Sequence, residues 1–114
     1  MPRIYDKLVR DEIPTVVEAN GERPITHVAN DEEYDRRLLA KLEEECAEYR
    51  EDRSLDELAD VLEVVRACCV QEGWSVEELE ERRREKAAER GGFGAGVVLE
   101  AVVESQSQSR SGEN

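Results

Sequence analysis

Apolar side chains recur along this chain at helical rather than strand spacing. Leu38, Leu39, Leu42, Cys46 and Tyr49 fall on one arc when successive residues are turned by about 100°, which predicts a helix over 32–51. Leu58, Val61, Leu62, Val64, Val65, Cys68 and Cys69 form a broader arc and predict a second helix over 55–72, ending at Gly73. A third helix over 76–90, laced with charges, should end at Gly91-Gly92. Asp31, Ser54 and Ser75 stand where N-caps are expected, and Ser54…Glu57 and Ser75…Glu78 fit the S-x-x-E capping box. A short helix from about Glu12, capped by Asp11 and with Pro14 in its first turn, should stop at Asn20-Gly21. Residues 25–29 and the β-branched run 97–103 are the candidate strands, expected to pair with each other. The expected fold is all-α: an antiparallel helical bundle with minor short β pairing, in one domain over residues 1–104. Residues 105–114, SQSQSRSGEN, are expected to be a disordered polar tail.

Charge narrows the range of functions. Sixteen basic residues face 29 acidic ones, for a formal net charge of −13. Such a field disfavours nucleic-acid polymers and anionic membranes as partners and attracts cations. A phosphate-bearing substrate would need a local reversal of sign, most simply a bound divalent metal. No stretch is apolar enough for a transmembrane helix, and MPRIYDKLVR lacks a secretory apolar core, so a cytoplasmic location is expected. Cys46, Cys68 and Cys69 form neither a disulfide framework nor a zinc spacing and are expected to be reduced packing residues.

Among so many acids, a few occupy positions that should face protein. Glu45 lies beside Leu38 at the edge of the first apolar arc. Glu44 and Glu48 follow round the same side, so the three make one patch. Glu57 falls inside the second arc, between Val64 and Cys68, with Asp60 just beyond its edge. A carboxylate on a packed face must be paired, protonated or bound to metal. Two helices joined by so short a link should be antiparallel neighbours, which brings Glu45 and Glu48 near Glu57 and Asp60. An all-oxygen set of this kind suits Mg²⁺ or Mn²⁺. The alternative is that Glu57 only completes a capping box, while Glu44, Glu45 and Glu48 form a solvated face paired with Lys41 and neighbouring arginines.

Glu44-Glu45-x-x-Glu48 followed by Glu57-x-x-Asp60 resembles the E-E-x-x-E…E-x-x-D signature of the MazG-like, all-α nucleoside triphosphate pyrophosphohydrolases. The opening Tyr5-Asp6-Lys7-Leu8-Val9-Arg10-Asp11-Glu12-Ile13-Pro14 and the closing Lys86-Ala87-Ala88-Glu89-Arg90-Gly91-Gly92-Phe93 resemble the ends of a small, stand-alone, house-cleaning branch. The resemblance implies that Glu45, Glu48, Glu57 and Asp60 ligate Mg²⁺. It makes Glu44 a further ligand or the catalytic group that positions the attacking water. It also implies cleavage of a nucleoside triphosphate, standard or modified, to a monophosphate and pyrophosphate by a homodimer or homotetramer. Phosphoribosyl-ATP pyrophosphohydrolases of the same superfamily tend to carry an aromatic-His pair soon after the aspartate. Here Val61-Leu62-Glu63-Val64 follows, which makes that activity the alternative.

The triphosphate would need basic partners, and the chain has only three lysines. Lys7 and Arg10 at one end and Lys86 and Arg90 at the other are the candidate phosphate contacts. Trp74 and Tyr34 are candidates for stacking on a base. Two non-enzymatic readings compete: a helical dimer that binds a nucleotide or partner protein without turnover, and a structural bundle whose acids serve solubility.

Overall fold

A computed structural model describes residues 1–105; the expected tail lies, but for Ser105, outside the described residues. Regular structure among them is helical throughout: α1 (Ile13–Ala19), α2 (Asp31–Glu51), α3 (Leu55–Gln71) and α4 (Val76–Arg90). The all-α class therefore holds.

The helix ends follow local hydrogen bonding. Asn30, not Asp31, caps α2: its extended backbone lets Oδ1 accept from the Glu33 amide at 2.9 Å. Asp31, Glu32 and Glu33 instead occupy the first turn, where negative charge opposes the positive end of the helix dipole. The α1 N-cap is Glu12 rather than Asp11, with no side-chain cap bond. Ser75 and Glu78 form the full reciprocal box, with each side chain bonded to the other's amide at 3.0 and 2.8 Å. Between α3 and α4, Gly73 adopts φ 94°, a conformation that costs glycine little and other residues much. Cys69 reaches across that turn, its Sγ donating to the Ser75 carbonyl at 3.2 Å.

Residues 52–54 link α2 to α3, and the two helices pack against each other as an antiparallel pair. Their buried positions are few: Leu38 (4% exposed), Val64 and Cys69, with one carboxylate, Glu45, among them. Neither α1 nor α4 contributes a buried residue. Leu55, Leu58 and Leu62 of α3 are all exposed, so Leu58 and Leu62 are not packed as their place in the predicted apolar arc implies. Leu39, on α2, is exposed too.

The expected β pairing is not present among the described residues. Residues 25–29 and 97–103 are both irregular. Ile25, Val28, Val97, Val98, Leu99, Val102 and Val103 are all exposed. β-Branched composition favours an extended backbone, but a strand exists only when a neighbour accepts its backbone hydrogen bonds.

The chain divides into two compact units, Met1–Glu81 and Arg82 onward, with the boundary inside α4. None of the helices among the described residues is long and apolar enough to cross a membrane.

Candidate metal centre

The helical pair gathers the five acids named from the sequence. Glu44, Glu45 and Glu48 come from α2, and Glu57 and Asp60 from α3. Each of two triads, Glu44–Glu45–Glu48 and Glu45–Glu57–Asp60, has carboxylate oxygens within 4.8 Å of one another. Glu45 belongs to both. Only 6% of it is exposed; its Oε2 lies 3.1 Å from Lys41 Nζ, and its Oε1 is buried with no hydrogen-bond partner. Glu57 Oε1 is buried and unpartnered in the same way. Ser54 Oγ accepts from the Glu57 amide at 3.2 Å, while the Ser54 amide donates to the Asp52 carbonyl at 2.6 Å. The return half of that capping box is thus unused, and the Glu57 carboxylate is left to the acid cluster.

The electrostatics are those of a site short of positive charge. Glu48 is held above the ordinary carboxylate range by the charge of Glu45, then by burial and the neighbouring Glu44. Burial lifts Glu57, aided by Asp60, Asp52 and Glu45. For Glu44, burial acts upward but is outweighed by the Lys7 hydrogen bond and the charges of Lys41 and Lys7, so the net shift is downward. Raised carboxyls keep protons that the unfolded chain has already lost. Their contribution to stability is therefore greatest in acid and falls as pH rises from the ordinary carboxylate value to the raised one. The Glu44 contribution runs the other way, appearing above the ordinary value and lost as pH falls through its lowered one. A divalent cation should replace the retained protons. Melting of the chain with Mg²⁺ minus melting with chelator should give a difference that grows from about pH 4.5 toward neutrality, and Glu57→Gln should flatten that curve.

The N-terminal segment covers the cluster with basic side chains. Lys7 Nζ lies 2.8 Å from Glu44 Oε2, and Arg10 Nη2 lies 2.7 Å from Asp60 Oδ1. Both phosphate candidates from this end are therefore beside the acids. Their position depends on Arg37, whose Nη1 donates to the Asp6 carbonyl and whose Nη2 donates to Asp6 Oδ1, each at 2.9 Å. Asp6 takes the left-handed φ of 46°, tolerated by Asp more than by most residues. Glu33 braces Arg37 at 2.8 Å and lies 2.9 Å from His27 Nε2. Sequence reasoning missed Arg37. A signal existed: it shares a helix face with Lys41 and Glu44, four and seven residues on.

Lys86 and Arg90 belong to the second unit. They line one surface of α4 with Arg82, Glu85 and Glu89, where Arg82 pairs with Glu85 at 3.1 Å. They are thus placed among their own helix's charges. Trp74 is exposed and Tyr34 half-buried. The three cysteines are free, but only Cys69 is buried; Cys68 is half-buried and Cys46 is exposed, so Cys46 is not the packing residue that its place on the apolar arc predicts.

No family model and no solved structure matches this chain. A Mycolicibacterium smegmatis protein, described as uncharacterized, is 48% identical over 44 residues. That match spans 39% of this chain and 45% of the relative's length.

Proposed function

We propose that this chain is a MazG-like pyrophosphohydrolase that cleaves a nucleoside triphosphate to a monophosphate and pyrophosphate. The observation that carries the reading is Glu45: a nearly buried carboxylate whose unpartnered Oε1 lies where acids from two helices converge. Orphaned, buried carboxylate oxygens are costly unless something positive meets them. Oxygen-only donors favour a hard cation, Mg²⁺ or Mn²⁺. Glu45, Glu48, Glu57 and Asp60 would hold it. A bound cation would supply neutralisation of phosphate oxygens and a more acidic water. Glu44 would be a further ligand or the group that orients that water. Lys7 and Arg10 would receive the phosphate chain. The test is a panel of ordinary and modified triphosphates with Mg²⁺, Mn²⁺ or chelator, at low and high salt. Release of pyrophosphate rather than phosphate is the expected product, and phosphoribosyl-ATP is the substrate to add if the panel is silent.

The same reading includes self-association in a reducing, cytoplasmic setting. Its support is the thin core together with exposed Leu39, Leu55, Leu58 and Leu62 on the helical pair. Leu62, 58% exposed, is the probe. Leu62→Glu should convert a dimer or tetramer to monomer in sedimentation; an unchanged mass would remove this face from the interface.

A further inference from the structure

We infer that Lys7 and Arg10 are resident counter-ions of the acid cluster that a divalent cation displaces, and that the displaced pair then forms the arm that grips phosphate. The inference rests on the metal-site reading above and goes beyond it by giving each base two alternating partners.

The two triads share Glu45, and each has one further member held by a base from the same short segment. Lys7 takes Glu44 in the first, and Arg10 takes Asp60 in the second. The bases are three residues apart in sequence and sit on carboxylates from different helices. Five carboxylates thus meet three side-chain cations, Lys7, Arg10 and Lys41, a formal deficit of two positive charges. Glu48 and Glu57 are the two of the five with no side-chain cation beside them among the described residues, and Glu57 also keeps a buried oxygen without a hydrogen-bond partner. The bases therefore stand in for a cation incompletely. A divalent ion ligated by several carboxylates would neutralise the cluster more fully, and would compete with Arg10 for Asp60 and with Lys7 for Glu44.

The exchange needs little movement. Lys7 and Arg10 side chains are 40% and 56% exposed, and ion pairs this open to water are weak. The backbone on either side is secured. Arg37 grips Asp6 through two hydrogen bonds, and the Ile13 amide at the start of α1 donates to the Arg10 carbonyl at 3.1 Å. Rotation of two long side chains therefore suffices, with the segment left in place. Once released, an ammonium and a guanidinium remain tethered beside the cation, where the guanidinium can bind phosphate oxygens in a bidentate manner. The bases would oppose entry of the cation alone and favour entry of the cation with its anionic substrate.

Mn²⁺ titration of the full chain, followed by paramagnetic resonance, separates these effects. It should be run on the parent, Lys7→Gln, Arg10→Gln and, as control, Glu57→Gln, first with Mn²⁺ alone and then with inorganic tripolyphosphate as the probe. Each base substitution should tighten Mn²⁺ alone by about two- to fivefold, the scale of one part-exposed ion pair. The same substitutions should weaken retention of Mn²⁺–tripolyphosphate. Opposite signs from one side chain are the signature of exchange. Mn²⁺ binding that depends on Glu57 but is unchanged or weakened in Lys7→Gln and Arg10→Gln would overturn the inference and leave the metal reading standing. Absence of Glu57-dependent binding from parent and base variants alike would overturn both.

Discussion

Replacing Glu57 by Gln should cut cation-dependent pyrophosphate release steeply while making the cation-free chain harder to melt. The two effects share one cause. Burial and the charges of Asp60, Asp52 and Glu45 disfavour ionised Glu57, so a neutral amide of the same size removes repulsion from the folded state. The amide is a poorer ligand for a hard cation, and loss of a group that merely supports a ligand already costs 10- to 100-fold. For Glu57 itself the loss of kcat/KM should reach roughly 100-fold or more. The helix should survive, because the Ser54 cap uses the Glu57 amide and not its carboxylate. Melting with and without Mg²⁺, beside steady-state kinetics, reads both effects. A variant that melts lower without cation, or keeps its activity, would return Glu57 to an ordinary capping role.

Leu38→Ala should be the most damaging single truncation in the helical pair. Leu38 is the most buried of the described residues, whose other buried side chains are Val64, Cys69 and the Glu45 carboxylate. Removing a buried leucine costs about 2–5 kcal/mol, because transfer energy is lost and a cavity is left. In a domain this small the cost corresponds to a fall of about 8 °C or more in Tm. Leu38 lies seven residues before Glu45 on the same helix face, so its loss should also loosen the acid cluster and weaken cation binding. Val28→Ala, at an almost fully exposed position, should change stability by no more than about 0.5 kcal/mol. Chemical denaturation of the two variants makes the comparison.

Helical periodicity was the dependable signal in this sequence. The helices α2 and α3 and the serine caps of α3 and α4 were legible because they depend on residues a few positions apart, whereas Leu39, Cys46, Leu58 and Leu62 of the predicted arcs are exposed. Asn30 and Asp31 could each cap α2, and the choice turned on which residue takes an extended backbone, which composition does not encode. The β-branched runs misled because pairing depends on a neighbour distant in sequence. The same division holds in the acid cluster. Spacing placed Glu44, Glu45 and Glu48 together, and Glu57 with Asp60. The bonds of Lys7 to Glu44, Arg10 to Asp60 and Arg37 to Asp6 cross 37, 50 and 31 positions, and only the folded chain displays them.

The most direct test of the account is identification of the phosphorus products when the parent is given nucleoside triphosphates with Mg²⁺, followed by phosphorus NMR. Equal amounts of pyrophosphate and nucleoside monophosphate are expected, with none of either in chelator and roughly 100-fold less from Glu57→Gln. Inorganic phosphate as the first product, or no turnover of any triphosphate by folded protein, would contradict it.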